Sequence, residues 1–386
     1  WLIRQHLWVL APDRLDNILE LVVLVHKLNR LTSELLFEWQ VSELLEIAKI
    51  GEIRDELIER VLTALVDHHT ELSVKIIGLC LELTELDREV IISKTVTTAF
   101  KLFHQDNIMP FAVKVVESCN RIQPDTANTL NVLTEFYLTI QSYKQAIETS
   151  ERYYELATNT VERLIGAYMV QKAHFTAGSY DNVRSFIDIH RHALTEFIQA
   201  SPQNLNYARN QHCLTCAFFL PYIEDNPSIN KSLQNQLADI YQQNILLKNV
   251  EIELGDLTIK KKTGCLRIGY IGSTLKKHSV GWLSRWLIHH HDRESFQIFI
   301  YNISVSREDE FSHQWFRDKV DVTYYCETKP HEIIAQIKAD EIDILIDLDS
   351  LTFDTTYFIM ACKPAPVQIT WLGWDASGIP AIDYFI

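Results

Sequence analysis

Two periodicities divide this chain of 386 residues. Up to about residue 200, apolar side chains recur every three or four positions, as in VSELLEIAKIGEIRDELIERVLTALVDHHTEL, with few glycines and few turn dipeptides. That spacing draws one apolar stripe along helix after helix. After Gly264 short β-rich runs take over: CLRIGYIG, FQIFIYNIS, DVTYYCE, IDILIDLDS, VQITWLG and IDYFI. Between them VGWLSRWLIHHHD, EDEFSHQWFRDKV, PHEIIAQIKADE and a short TTYFIMACK read as helices. Strands alternating with helices predict a parallel, doubly wound α/β sheet. The nearly continuous apolar IDILIDL predicts a strand covered on both faces. The expected organisation is an α-helical region over 1–200, a coupling segment over 201–263 and an α/β lobe over 264–386. In the coupling segment, Asp225 and Asn226 before Pro227 signal a turn, with Ser228 placed to cap the helix that follows.

The helical region contains a repeat. In NIMPFAVKVVESCNRIQPD, Ala112 stands twelve residues before Pro124. In the next unit, TLNVLTEFYLTIQSYKQAIETSERYYELA, Ala146 follows Ala112 by 34 positions, and Leu130, Leu133 and Tyr137 fall on the inward face of the first helix. A third unit repeats the SY turn at Tyr180, 37 positions after Tyr143. Small residues at helix contacts with this period resemble tetratricopeptide repeats, and the alternative is a generic helical bundle. Such repeats would stack into a superhelix with a concave binding face.

The net charge of −15 argues against nucleic acid or an anionic membrane as partner, since both select basic surfaces. No apolar run approaches the roughly 20 residues that span a bilayer. Seven scattered cysteines read as reduced thiols of a cytoplasmic chain. The pair Cys213 and Cys216 lacks a second ligand pair for zinc, so small residues packed in a helix are expected there. Trp1 in place of Met leaves targeting unreadable, and a longer parent chain is expected.

In a doubly wound sheet, ligands bind at the carboxyl ends of the strands. That rule selects three loops. GSTLKKHSVG, after the first strand, offers Lys277 and His278 at a helix start beginning with Ser279, a suitable place for phosphate. DLDSLT, after the fourth, brings Asp347 and Asp349 to the edge, as hydroxyl-binding groups or bases, or simply as caps. GWDASG, after the fifth, is bracketed by Gly373 and Gly378, which permit close backbone approach to a ligand. The glycine spacing is neither GxGxxG nor a P-loop, and GxSxG is absent, so the sequence gives no support for nicotinamide, ATP or hydrolase chemistry by those routes. His289, His290 and His291 end a helix. Consecutive residues point about 100° apart and cannot share a metal, so they are expected to interact favourably with the helix C-terminus.

LRIGYIGSTLKKHSVGWL, HHHDRESFQIFIYN, IDILIDL and KPAPVQITWLGWDASGIPAIDY resemble the N-terminal catalytic lobe of the O-linked N-acetylglucosamine transferase family, the SPINDLY-type glycosyltransferases. The resemblance spans about residues 205–386, with the repeats matching loosely. It implies a tetratricopeptide solenoid joined to a GT-B fold of which this chain holds the N-terminal, Rossmann-like lobe. It also implies inverting, metal-independent transfer of N-acetylglucosamine or a related sugar from a UDP-sugar to Ser or Thr hydroxyls of proteins, with acceptors along the repeat groove. Carried over by position, His278 and, more loosely, His212 are the catalytic candidates. Lys277, Ser279, Trp371, Leu372, Gly373 and Asp347 are the substrate-binding candidates. The sequence departs from the family pattern at Thr274, where an Asp is usual, at Lys277 and Ser279 beside the His, at Ser350 and Leu351, and at Trp374 and Asp375. The donor-binding groups of the family lie in a second lobe, so residues 1–386 alone are expected to be inactive. The rival reading is a non-catalytic repeat scaffold carrying a degenerate lobe. A sugar-nucleotide epimerase shares the layout but leaves the repeats unexplained.

Overall fold

The computed structural model describes residues 14–84, 88–103, 108–249, 264–303 and 309–386. They form two compact units, dividing between Ile189 and His190.

The first unit is helical throughout its described residues: Leu15–Lys27, Ser33–Glu38, Val41–Ile47, Asp55–Val66, Glu71–Leu83, Arg88–Phe103, Met109–Ile122, Ala127–Thr139, Tyr143–Leu156, Thr160–Thr176 and the start of Tyr180–Ala200. Polar caps set several of the starts. Thr32 accepts from the Leu35 N–H, Thr70 from Ser73 and Asn159 from Glu162, each satisfying one of the N–H groups that a helix start leaves without a partner. The repeat register read from the sequence fits the packing. Ala112 and Ala146 are fully buried, and Leu130, Leu133 and Tyr137 line the core. Tyr143 and Tyr180 are each the first residue of a helix. Where Tyr143–Leu156 meets Thr160–Thr176, a Cβ added to Gly166 would stand 2.9 Å from Tyr154 Cα. Two helix backbones therefore touch there, and only glycine fits between them.

The second unit holds six strands in one parallel sheet: β1 Leu266–Gly272, β2 Phe296–Ile303, β3 Val322–Cys326, β4 Ile344–Asp347, β5 Val367–Thr370 and β6 Tyr384–Phe385. Their order is β3-β2-β1-β4-β5-β6. The chain goes outward from β1 to β3, returns beside β1 as β4 and continues to β6. The order therefore reverses between β1 and β4, the position at which doubly wound sheets bind their ligands. Register places Ile271 beside Asp347, and Asp347 beside Thr370.

On one face, Val280 and Ile288 of helix Ser279–His289 join Ile268, Tyr270, Ile298, Ile300 and Ile346 in a buried cluster. Helix Asp354–Ala361 is almost wholly buried, and Tyr357 packs edge-on against Tyr241 of helix Pro227–Lys248, with ring centroids 5.1 Å apart. Residues 201–249, including helices Tyr207–Thr215, Leu220–Ile223 and Pro227–Lys248, thus belong to the compact unit of the sheet. Residues 250–263 lie outside the described residues.

Two local expectations are corrected. The cap of helix Pro227–Lys248 is Asn226, whose side chain accepts from the Ile229 N–H, and Ser228 lies inside the helix; Pro227 takes the first helical position, where a missing N–H costs nothing. EDEFSHQWFRDKV is not one regular helix. A capping box between Asp309 and Ser312 starts a single turn, Glu310–Ser312, which widens into a π-helical turn, His313–Arg317, burying Phe316 fully. No described helix is long and apolar enough to cross a membrane.

Candidate functional site

The candidate site is the carboxyl edge of the sheet, where the loops after β1, β4 and β5 meet. The β1 loop is tightly folded. The Lys276 N–H donates to the Thr274 carbonyl at 2.8 Å, and the His278 N–H to the Lys276 carbonyl at 2.6 Å. Helix Ser279–His289 starts directly beneath. A Cβ on Gly281 would lie 2.2 Å from the Lys276 oxygen and 3.0 Å from the Thr274 oxygen. Only glycine lets the helix begin so close to the loop.

His278 is the N-cap of that helix and is exposed. Its Nδ1 accepts from the Val280 N–H at 3.3 Å. With Nδ1 accepting, the neutral ring carries its proton on Nε2, so its free edge is a hydrogen-bond donor. To take a proton from a substrate at Nε2, the ring must exchange tautomers and release the cap. Lys277 and Ser279 are exposed on either side, and the Lys277 N–H is held by Asp309 Oδ2 at 2.7 Å.

Asp347 lies beneath the edge rather than on it. It is fully buried. Its Oδ1 accepts from the Asp349 and Ser350 N–H groups at 2.9 and 3.2 Å, and its Oδ2 from Ser350 N–H and Thr370 Oγ1, each at 3.1 Å. Burial, with the neighbouring Asp349 charge, pushes this carboxyl up to about 7 against the pull of those donors. Contact with a substrate hydroxyl, expected from the sequence, is not open to Asp347 in this arrangement.

Asp349 ties the loops together. It too is fully buried. Its oxygens accept from Ser273 N–H at 2.7 Å, Thr274 Oγ1 at 3.2 Å and Thr356 Oγ1 at 2.9 Å. Burial raises its carboxyl, and these donors oppose the rise. Thr274, a departure from the family pattern, is thus a partner of Asp349.

The β5 loop closes over the β4 loop. The Trp371 N–H donates to the Asp347 carbonyl at 2.9 Å, and Leu372 takes a positive φ of 69°. That conformation is uncommon for a non-glycine residue. Trp371, Leu372 and Gly373 are all half-buried. A Cβ on Gly373 would stand 2.4 Å from the Asp349 carbonyl carbon and oxygen. Ser350 Oγ donates to the Asp375 carbonyl at 2.8 Å.

The rest of the β5 loop is held from helix Pro227–Lys248. Lys231 Nζ meets the Ala376 carbonyl and Asp375 Oδ2, both at 2.8 Å. The Gln234 amide donates to the carbonyls of Ala376 and Ser377. Trp374 stacks on Phe218 with centroids 5.2 Å apart, and its Nε1–H donates to Tyr222 Oη at 3.3 Å.

The structure therefore brings Asp347, Trp371, Leu372 and Gly373 together. It joins them to the His278 loop through Asp349, Ser273 and Thr274. His212 stands half-buried on helix Tyr207–Thr215, which packs on helix Pro227–Lys248. Asp349, expected with Asp347 at the edge as a hydroxyl-binding group, base or cap, is instead a buried tie between loops; Thr356, Lys231, Gln234 and the Trp374–Phe218 stack went unassigned from sequence. The only available signals were the alternating carboxylates of DLDS and the three-residue spacing of Lys231 and Gln234 on one helix face.

The histidine triplet closes helix Ser279–His289, with His289 in its last turn and His290 as its C-cap. His291 Nε2 pairs with Tyr270 Oη at 2.7 Å, and burial with Arg293 nearby pushes its titration down. His289 is pushed down by desolvation and by His290. Cys213 and Cys216 are buried at the end of helix Tyr207–Thr215, and among the described residues no group of three His, Cys, Asp or Glu could hold a metal.

Known proteins resemble this chain, above all over its C-terminal region. Residues 234–386 match the model of glycosyl transferase family 41. A probable UDP-N-acetylglucosamine–peptide N-acetylglucosaminyltransferase SPINDLY of Arabidopsis thaliana is 35% identical over 130 residues, covering 31% of this chain and 14% of that protein. The UDP-N-acetylglucosamine–peptide N-acetylglucosaminyltransferase of Caenorhabditis elegans is 35% identical over 126 residues, covering 31% of this chain and 11% of that protein. A structure of a Thermobaculum terrenum O-GlcNAc transferase mutant shares the fold with a TM-score of 0.51 at 19% identity, covering 78% of this chain and 54% of that one. The chain thus spans only part of these relatives. The resemblance read from PAPVQ-x-TWLG and the β1 loop is borne out: residues 234–386 are similar to glycosyl transferase family 41 and to its N-acetylglucosaminyltransferase relatives.

Proposed function

We propose that the full protein containing this chain transfers N-acetylglucosamine, or a related sugar, from a UDP-sugar to Ser or Thr hydroxyls of proteins, with inversion and without a metal. The observation that carries this reading is the lacing of the three edge loops. Gly373 lies against Asp349, Asp349 holds Ser273 and Thr274, and the short loop beyond them presents His278 at a helix start. Transfer requires an acceptor oxygen to attack the anomeric carbon while negative charge gathers on the diphosphate. The helix start and Lys277 supply positive potential for that charge. His278 supplies a donor edge, or a base after tautomer exchange. Trp371 and Leu372 form the wall facing the sugar, and His212 is the second catalytic candidate.

On this reading residues 1–386 cover one of two lobes, and donor binding needs the other. Protein acceptors run along the repeat groove, in a cytoplasmic setting, with no role for nucleic acid or membrane. Radiolabelled sugar transfer by the full-length protein tests the activity: a wild type with no transfer to any protein acceptor would sink it. Calorimetry with UDP on residues 1–386 tests the division of labour, and micromolar binding there would overturn it.

A further inference from the structure

We propose that Asp349 is a positioning residue for this reaction: its carboxylate fixes the loop 273–278, and with it His278, against the Gly373 turn. The proposal rests on the transferase reading above. It is carried by the way atoms of one buried residue reach all three edge loops. The side chain holds Ser273 N–H and Thr274 Oγ1 from the β1 loop and Thr356 Oγ1 from the helix after β4. The carbonyl sits where Gly373 has no Cβ, and the N–H is fixed by Asp347 Oδ1 at 2.9 Å. Past Thr274 the chain has little freedom. Two short backbone bonds, Lys276 to Thr274 and His278 to Lys276, close the loop, and Gly281 packs under both carbonyls. A shift at Ser273 and Thr274 is therefore carried to His278. Being fully buried, Asp349 cannot itself meet a substrate, so its effect runs through the loop.

An amide can replace the carboxylate in this role. Its oxygen accepts from the Ser273 N–H, and its NH2 donates to a threonine hydroxyl, which serves as donor or acceptor. An alanine cannot. In the full-length protein, Asp349→Ala is expected to lower kcat at least tenfold, with KM for the UDP-sugar within about threefold, as misplacement of a catalytic group does. Asp349→Asn is expected to stay within about threefold of wild-type kcat. Thr356→Val cuts only the tie to the helix and is expected to leave kcat unchanged. A folded Asp349→Ala with wild-type kcat overturns the proposal. So does an Asp349→Asn as impaired as Asp349→Ala, because charge rather than position would then be at work. If Asp349→Ala fails to fold, Thr274→Val carries the test: a threefold or larger loss of kcat at unchanged Tm supports positioning, and wild-type kcat overturns it. Should the wild type transfer no sugar, the transferase reading fails by itself. Hydrogen exchange over residues 273–281 then reads the positioning directly. Faster exchange in Asp349→Ala than in Thr356→Val supports it, and equal exchange overturns it.

Discussion

Gly373 and Asp349 are in backbone contact: a methyl group on Gly373 would lie 2.4 Å from the Asp349 carbonyl carbon and oxygen and 2.6 Å from the Leu348 oxygen. No rotamer relieves such an overlap, because the obstacle is main chain. Gly373→Ala is therefore expected to force the β4 and β5 loops apart, at about 1–3 kcal/mol as overpacking usually costs. In the full-length protein it should also reduce sugar transfer by an order of magnitude or more. Thermal melts and transfer assays on one preparation check both, and a variant with native Tm and native activity would show that the loops have room.

His278 separates capping from chemistry. Asn is among the better N-cap residues, so His278→Asn keeps a side-chain acceptor for the Val280 N–H. Stability should stay within about 0.5 kcal/mol of wild type, while kcat in the full-length protein falls about 100-fold, as loss of an acid–base group does. Denaturant titration and initial rates measure the two. Wild-type turnover would reduce His278 to a cap.

Asp347 predicts a pH dependence with a definite sign. Its carboxyl is raised to about 7 by burial and by Asp349, above the roughly 3.9 of an unfolded chain. The folded state therefore holds more protons between those values, and stability falls as pH rises through them. The contribution is fully present below about pH 4 and lost as pH passes about 7. Asp347→Asn does not titrate. The stability of wild type minus that of the variant should thus decrease by about 1–3 kcal/mol between pH 5 and pH 8. A flat difference would mean that Asp347 is ionised throughout.

The β5 loop separates two kinds of tether. The Lys231–Asp375 pair is partly exposed, at 30% and 43% for the two side chains, and surface pairs contribute about 0–1 kcal/mol. Gln234 is buried and donates to two carbonyls; unpaired, such groups cost about 1–3 kcal/mol. Gln234→Leu is expected to destabilise more than Lys231→Met. Equal losses in urea titrations would count against this division.

Gly166 contradicts helix propensity. Gly→Ala inside a helix ordinarily gains about 1 kcal/mol. Here the new Cβ meets Tyr154 Cα at 2.9 Å and Tyr153 Cδ1 at 3.0 Å, so Gly166→Ala should lower the Tm of the helical unit. A raised Tm by circular dichroism would refute the tight crossing.

The sequence alone determined the class of each region and the repeat register. Helical periodicity, the 34-residue spacing of Ala112 and Ala146 and the alternation after Gly264 are properties of neighbouring residues, and local hydrophobic patterning carries them. It also carried the family resemblance, because PAPVQ-x-TWLG keeps strand, turn and glycine in one short stretch. The tertiary structure decided how the site is held. Asp349 lies 75 positions from Thr274 and 24 from Gly373 in the chain; only the reversal of strand order between β1 and β4 sets their loops side by side. Asp347 and Asp349 look equivalent in DLDS. Asp347 ends β4 whereas Asp349 lies past it in the loop, so the surrounding donors differ. One carboxylate caps its own loop, and the other joins three segments whose contacts no local pattern records.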